Sequence, residues 1–100
     1  MKIELLYFDE CPTYQAALQA LKQALLEEGI QSQIQLIAIN TIEEAQKVQF
    51  PGSPTIQVNE CDLFPAAECQ AWGLGCRMYA TPEGSRGTPT KVMLREALRR

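Results

Sequence analysis

The residues from Ile3 to Phe8 run apolar without alternation, broken only by Glu4. A strand with one wet face alternates, so this run predicts a central strand buried on both faces. From Thr13 to Glu28 the period lengthens. Tyr14, Leu18, Leu21 and Leu25 recur at helical spacing with Ala17 and Ala24 beside them, while Gln15, Gln19, Lys22 and Gln23 fall off the stripe. Gly29 follows where a helix ends on a left-handed residue. The pattern predicts a helix of about four turns with one face on a sheet. Gln33-Ile34-Gln35-Leu36 alternates and Ile37-Ala38-Ile39 continues apolar, which reads as a partly exposed second strand near a sheet edge. Strand, helix and strand in this order predict a βαβ unit with parallel strands and a right-handed crossover.

Thr41 and Glu44 have capping-box spacing and open a short helix with Ile42, Ala45 and Val48 facing inward, stopped by Phe50-Pro51-Gly52. Ser53-Pro54 directly precedes a third strand, Thr55 to Asn59. Its proline cannot donate to a ladder and restricts Ser53 to an extended or cis geometry. Asn59-Glu60 then predicts a tight turn into a short antiparallel strand around Asp62-Leu63-Phe64. Residues 65–88 show no sustained period and read as an irregular loop with one short extended piece at Cys76-Arg77-Met78-Tyr79. Loops of this length are usually functional or mobile. At the end Thr88 caps a helix and Pro89 takes its first position. Val92, Met93, Leu94, Ala97 and Leu98 form its inner face, and Arg95, Arg99 and Arg100 complement its dipole.

One hundred residues, 46% apolar and 21% charged, fit a single globular domain over 1–100. A net charge of −3 with scattered basic residues argues against a nucleic-acid partner. No apolar run approaches the ~18 residues of a membrane span, and Met1-Lys2-Ile3-Glu4 does not open a signal peptide; a cytoplasmic protein is the expectation. There are four cysteines and no histidine. The first fact favours reduced thiols, metal ligation or redox chemistry over a disulfide framework. The second removes Cys–His catalysis and mixed Cys/His zinc sites. The chemistry of this chain belongs to sulfur.

Cys11 is the candidate centre. It stands between the first strand and the first helix, where free N–H groups and the dipole favour a thiolate. Pro12 suits the first helical position. Asp9 and Glu10 oppose the thiolate unless they face water. Tyr14, one turn on, either hydrogen-bonds the Cys11 sulfur or extends the apolar stripe. Cys61, Cys69 and Cys76 have seven and six residues between them, too far apart for the close pairs of a zinc site. Any of them could resolve a mixed disulfide on Cys11, and Cys76, beside Gly73 and Gly75, is favoured. Trp72, Phe64 and Tyr79 are either a substrate platform or core aromatics.

The order β-α-β-α-β-β-α, the cysteine before the first helix and Ser53-Pro54-Thr55 before the third strand resemble the thioredoxin fold over almost the whole chain. That fold implies a four-stranded mixed sheet flanked by helices. Cys11-Pro12-Thr13-Tyr14 falls where the superfamily carries Cys-x-x-Cys or Cys-x-x-Ser. Ser53-Pro54 falls where it carries a cis-proline whose preceding residue sits against the active cysteine and pairs with bound peptide. The resemblance thus implies a catalytic role for Cys11 and substrate contacts from Pro12, Ser53, Pro54 and Thr55, beside which Tyr14 and Cys76 stand as catalytic candidates from the reading of the residues themselves. Within the superfamily the chain is most similar to small bacterial thioredoxin- and glutaredoxin-like proteins. It departs from the pattern at Tyr14, which leaves no resolving thiol inside the motif. The expected function is a monothiol oxidoreductase, without cofactor or resident metal, in which Cys11 exchanges with protein or small-molecule disulfides. The alternatives are a thiolate module for a soft ion such as Hg(II), As(III) or Cu(I), and a non-catalytic interaction domain.

Overall fold

A computed structural model of the chain describes residues 2–64 and 77–99. The central strand β1 (Ile3–Tyr7) is buried at its first four residues. Apolar residues on both its faces leave it nowhere to lie except inside a sheet. It pairs in parallel with β2 (Ile34–Ala38) and antiparallel with β3 (Thr55–Val58), with Leu5 opposite both Leu36 and Ile56. β3 pairs in turn with β4 (Cys61–Asp62), so the sheet order is β2-β1-β3-β4. The β3–β4 turn is Asn59-Glu60, both residues with positive φ (53° and 70°), as a hairpin matched to strand twist requires.

Helix α1 (Tyr14–Glu27) buries Ala17, Leu21, Ala24 and Leu25. These pack on Ile3, Leu5 and Ile56 of the sheet and on Leu94 and Leu98 of α3 (Lys91–Leu98), forming the larger core. The opposite sheet face carries a smaller core of Leu6, Ile39, Ala45 and Phe50 under α2 (Ile42–Lys47). The described residues thus form a mixed α/β fold with helices on both sides of a four-stranded sheet. None of their helices is long and apolar enough to cross a membrane.

Three local expectations are corrected. In α2 Ala45 faces inward as expected, but Ile42 and Val48 do not, being 56% and 40% exposed; Phe50 joins Ala45 in the core instead. Thr41 caps this helix by accepting from the Glu44 N–H at 3.1 Å. At its other end Gln49 turns left-handed (φ 56°), and the Phe50 N–H returns to the Ala45 carbonyl at 2.8 Å, closing a Schellman-type end that aims Phe50 inward. In α3 the cap is Thr90, not Thr88: its hydroxyl accepts from the Met93 N–H at 3.1 Å. The two-residue shift buries Pro89 and leaves Val92 exposed, so Leu94, Ala97 and Leu98 form the inner face. The stretch read as irregular also contains a hairpin, β5 (Tyr79–Thr81) with β6 (Gly84–Arg86). Its turn is built from the Pro and Gly that suggested disorder of pattern. Gly84 takes φ +106°, and the Thr81 hydroxyl donates to the Gly84 carbonyl at 2.6 Å.

Glu27 and Glu28 close α1 against three cations of α3. Lys91 and Arg95 hold Glu27 at 2.7 and 3.0 Å, and Arg95 and Arg99 hold Glu28 at 2.7 and 2.8 Å. The Arg99 and Arg95 guanidinium hydrogen bonds pull the Glu28 carboxyl from its ordinary 4.5 down to about 2. A carboxyl depressed in the folded state binds fewer protons there than in the unfolded chain, so its stabilising contribution is present above pH 4.5. It drains away as the pH falls from about 4.5 to about 2. The network is solvent-facing, and salt screens it. In an acid titration followed by melting temperature, Glu28→Gln should lose less stability than wild type across that window. Parallel wild-type and variant curves would remove Glu28 as the cause.

Candidate functional site

The end of β1 passes into a turn over Phe8–Cys11, closed by the Cys11 N–H on the Phe8 carbonyl at 3.0 Å. Asp9 and Glu10 occupy the two corners and point outward, both exposed. Asp9 is tied to Asn40 after β2 by two hydrogen bonds of 3.2 Å. The neighbouring carboxylates therefore face water rather than the thiol.

Cys11 itself is 4% exposed. It lies two residues before Thr13, the N-cap of α1, so Pro12 is outside the helix and exposed, not at its first position. The Thr13 side chain makes no cap hydrogen bond to the helix. The Thr13 hydroxyl lies 3.5 Å from the sulfur. Beside this turn stands Ser53, wholly buried, its hydroxyl accepting from the Phe8 N–H at 3.4 Å. Burial alone pushes a thiol up. Here the Ser53 and Thr13 hydroxyls and the Thr13 and Tyr14 N–H groups outweigh it and bring the Cys11 thiol below its ordinary value of 9.0.

The Ser53–Pro54 peptide bond is cis. Ser53, Pro54 and Thr55 are all buried. Thr55 faces inward: its hydroxyl donates to the Gly52 carbonyl at 2.6 Å and accepts from Arg77 at 3.3 Å. Tyr14 stacks on Tyr7 with centroids 4.3 Å apart, and its hydroxyl accepts from Gln15. The hydroxyls on the sulfur are those of Thr13 and Ser53; Tyr14 contributes its backbone N–H. Gly87, before α3, comes so close to Thr13 that a Cβ there would lie 2.8 Å from the threonine methyl.

Cys61 is exposed on β4. Cys69, Cys76 and Trp72 lie outside the described residues. Phe64 and Tyr79 meet edge to face at 5.6 Å with Tyr79 buried, a core pair rather than an open platform. Among the described residues no three His, Cys, Asp or Glu side chains come together to hold a metal ion.

Two participants escaped the sequence reading. Thr13 was hidden inside the motif as its third residue. Arg77 is the sole charge between Cys69 and Pro82. It is buried, paired with Asp62 at 2.8 Å and set 4.7 Å over the Tyr79 ring. A lone charge in so apolar a stretch was a signal that it has an acidic partner, but not of which one.

The arrangement is a buried thiol at a strand-to-helix turn, with the Thr13 hydroxyl against it and the buried Ser53 turn beside it. The class defined by fold and site is a mixed α/β domain with a perturbed cysteine just past the end of the central strand. Comparison with protein families, with curated proteins and with solved structures gives no match.

Proposed function

We propose that the protein is a thioredoxin-fold thiol-exchange protein with Cys11 as its nucleophile. The observation that carries this reading is the place of the Cys11 sulfur: buried just before the first turn of α1, 3.5 Å from the Thr13 hydroxyl and beside the buried Ser53 turn, with its thiol held below the ordinary value of 9.0. Such a setting stabilises a thiolate, which is the reactive form. The strand order β2-β1-β3-β4 and the Ser53–Pro54 turn facing the cysteine support assignment to that fold.

In the proposed reaction Cys11 loses its proton to solvent and attacks one sulfur of a disulfide. A Cys11–S–S–R bond forms, the substrate S–S bond breaks, and the leaving sulfur departs as a thiolate that takes up a proton. A second thiol then attacks the mixed disulfide. An external thiol that attacks the R sulfur bonds to R and frees the Cys11 thiolate. An intramolecular thiol that attacks the Cys11 sulfur instead forms a disulfide with Cys11 and frees R as a thiolate that takes up a proton. Cys76 is the intramolecular candidate for that thiol, and a small external thiol is the other.

Alkylation with iodoacetamide at neutral pH, resolved by peptide mass spectrometry, tests the assignment. Cys61 is exposed and Cys11 is buried, so access alone predicts that Cys61 reacts first. Thiolate character predicts the reverse. Cys11 should be modified fastest, and Cys11→Ser should abolish mixed-disulfide formation with hydroxyethyl disulfide. Should Cys61 or another cysteine outpace Cys11, the nucleophile is misassigned. Mild oxidation of protein that has not been alkylated shows whether Cys11 links to Cys76.

A further inference from the structure

We propose that Arg77 and Tyr79 are positioning residues for Cys11: they grip the Gly52–Thr55 turn from behind and so hold the Ser53 hydroxyl against the Phe8–Cys11 turn that carries the sulfur. The inference rests on Cys11 being the nucleophile. It goes further by placing control of that cysteine in residues that never touch it.

Each part of the turn has its own restraint from this side. The Arg77 N–H donates to the Ser53 carbonyl at 2.9 Å. The Tyr79 hydroxyl donates to the Pro54 carbonyl. The Arg77 guanidinium donates to the Thr55 hydroxyl at 3.3 Å, which in turn donates to the Gly52 carbonyl. At Gly52 the backbones nearly touch: with φ +139°, a Cβ there would lie 3.0 Å from the Arg77 Cβ. Only glycine permits that approach.

The clamp is itself fixed. The guanidinium pairs with Asp62, donates to the Phe64 carbonyl and lies over the Tyr79 ring, while Phe64 braces that ring at its edge. Arg77 and Tyr79 are 7% and 3% exposed. A buried cation is costly unless fully partnered. With guanidinium donors bound to Thr55, Asp62 and Phe64 and the backbone N–H bound to Ser53, small displacements of the turn would break several bonds together. The Ser53 side chain is thereby confined to one place, where its hydroxyl accepts from the Phe8 N–H beside Cys11 and helps hold the Cys11 thiol below its ordinary value. Hydroxyl position matters because a hydrogen bond to sulfur weakens steeply as its geometry opens.

The test is the pH profile of Cys11 alkylation, read peptide by peptide in the full chain, for Tyr79→Phe, Arg77→Lys, Ser53→Ala and the double variant Ser53→Ala/Tyr79→Phe. Tyr79→Phe keeps the ring and removes only the hydroxyl. Losing one well-placed hydrogen bond at the sulfur should slow alkylation at pH 7 by about five-fold and move the profile to higher pH. Ser53→Ala is expected to show that loss in full, Tyr79→Phe and Arg77→Lys part of it. The double variant should react no more slowly than Ser53→Ala alone, because Tyr79 acts through Ser53. A folded Tyr79→Phe and a folded Arg77→Lys that both keep the wild-type profile would overturn the proposal. So would a double variant slowed by the product of the single effects. If instead Cys11 is not the fastest cysteine in wild type, it is the nucleophile assignment that fails. If Tyr79→Phe does not fold, Arg77→Lys decides.

Discussion

Phe50→Ala should lower the stability of the fold by about 3–5 kcal/mol, the range for emptying a fully buried aromatic site. Phe50 has no exposed surface and is the largest member of the smaller core with Leu6, Ile39 and Ala45. Nothing else can take over. Helix α2 is six residues long with Ala45 its one buried residue, so its docking depends on the ring that follows it. The cavity would sit two residues before Gly52, and the turn bearing Ser53 should loosen with it. Urea unfolding should show the midpoint falling at unchanged slope, and Cys11 alkylation at pH 7 should slow in the same variant. Phe50→Leu, which keeps most of the volume, should cost under about 1.5 kcal/mol. A loss below about 1 kcal/mol for Phe50→Ala would mean that the smaller core does not hold this side of the sheet.

Asp62→Ala is expected to cost about 2–3 kcal/mol. Removing one partner of a buried pair typically costs about 3–5 kcal/mol, because the other charge is stranded. The lower figure reflects Asp62, whose side chain keeps 20% of its exposure, against 7% for Arg77. The Thr55 hydroxyl and the Phe64 carbonyl remain to Arg77, but both are neutral. Replacing the pair together, Asp62→Leu with Arg77→Met, should recover most of that stability, since apolar residues can fill a buried ion pair's place. It should not recover the alkylation rate of Cys11. Equilibrium unfolding and the alkylation profile, measured on the same two variants, separate the two effects. A double variant with wild-type reactivity would reduce the pair to packing.

What could be read from the residues followed from local physics. The unbroken apolar run of β1, the leucine stripe of α1 and the left-handed pair Asn59-Glu60 each carry their structural reason within a few positions. Cys11 stood out because a strand end, an acidic turn and a helix start converge on it. The ends of α2 and α3 were harder. Thr88 and Thr90 flank the same proline, and propensity cannot choose between them; packing does, by burying Pro89 and Leu94 together. In α2 the spacing favoured Ile42 and Val48, but a helix this short is oriented by its terminus, and Gln49 hands the core to Phe50. The Arg77 clamp was beyond reach for a different reason. Its partners Ser53, Thr55 and Asp62 are 24, 22 and 15 positions away, and no local period links them.

Arg77 joins Phe64 and Asp62 on one side to Ser53 and Thr55 on the other. It therefore closes the base of the excursion through residues 65–76, whatever its contents. Once the ends of a chain segment are held, its closure entropy grows only as the logarithm of its length, about 0.6 kcal/mol per doubling. A change in the number of residues between Phe64 and Arg77 therefore costs little in closure entropy for as long as Arg77 keeps these partners.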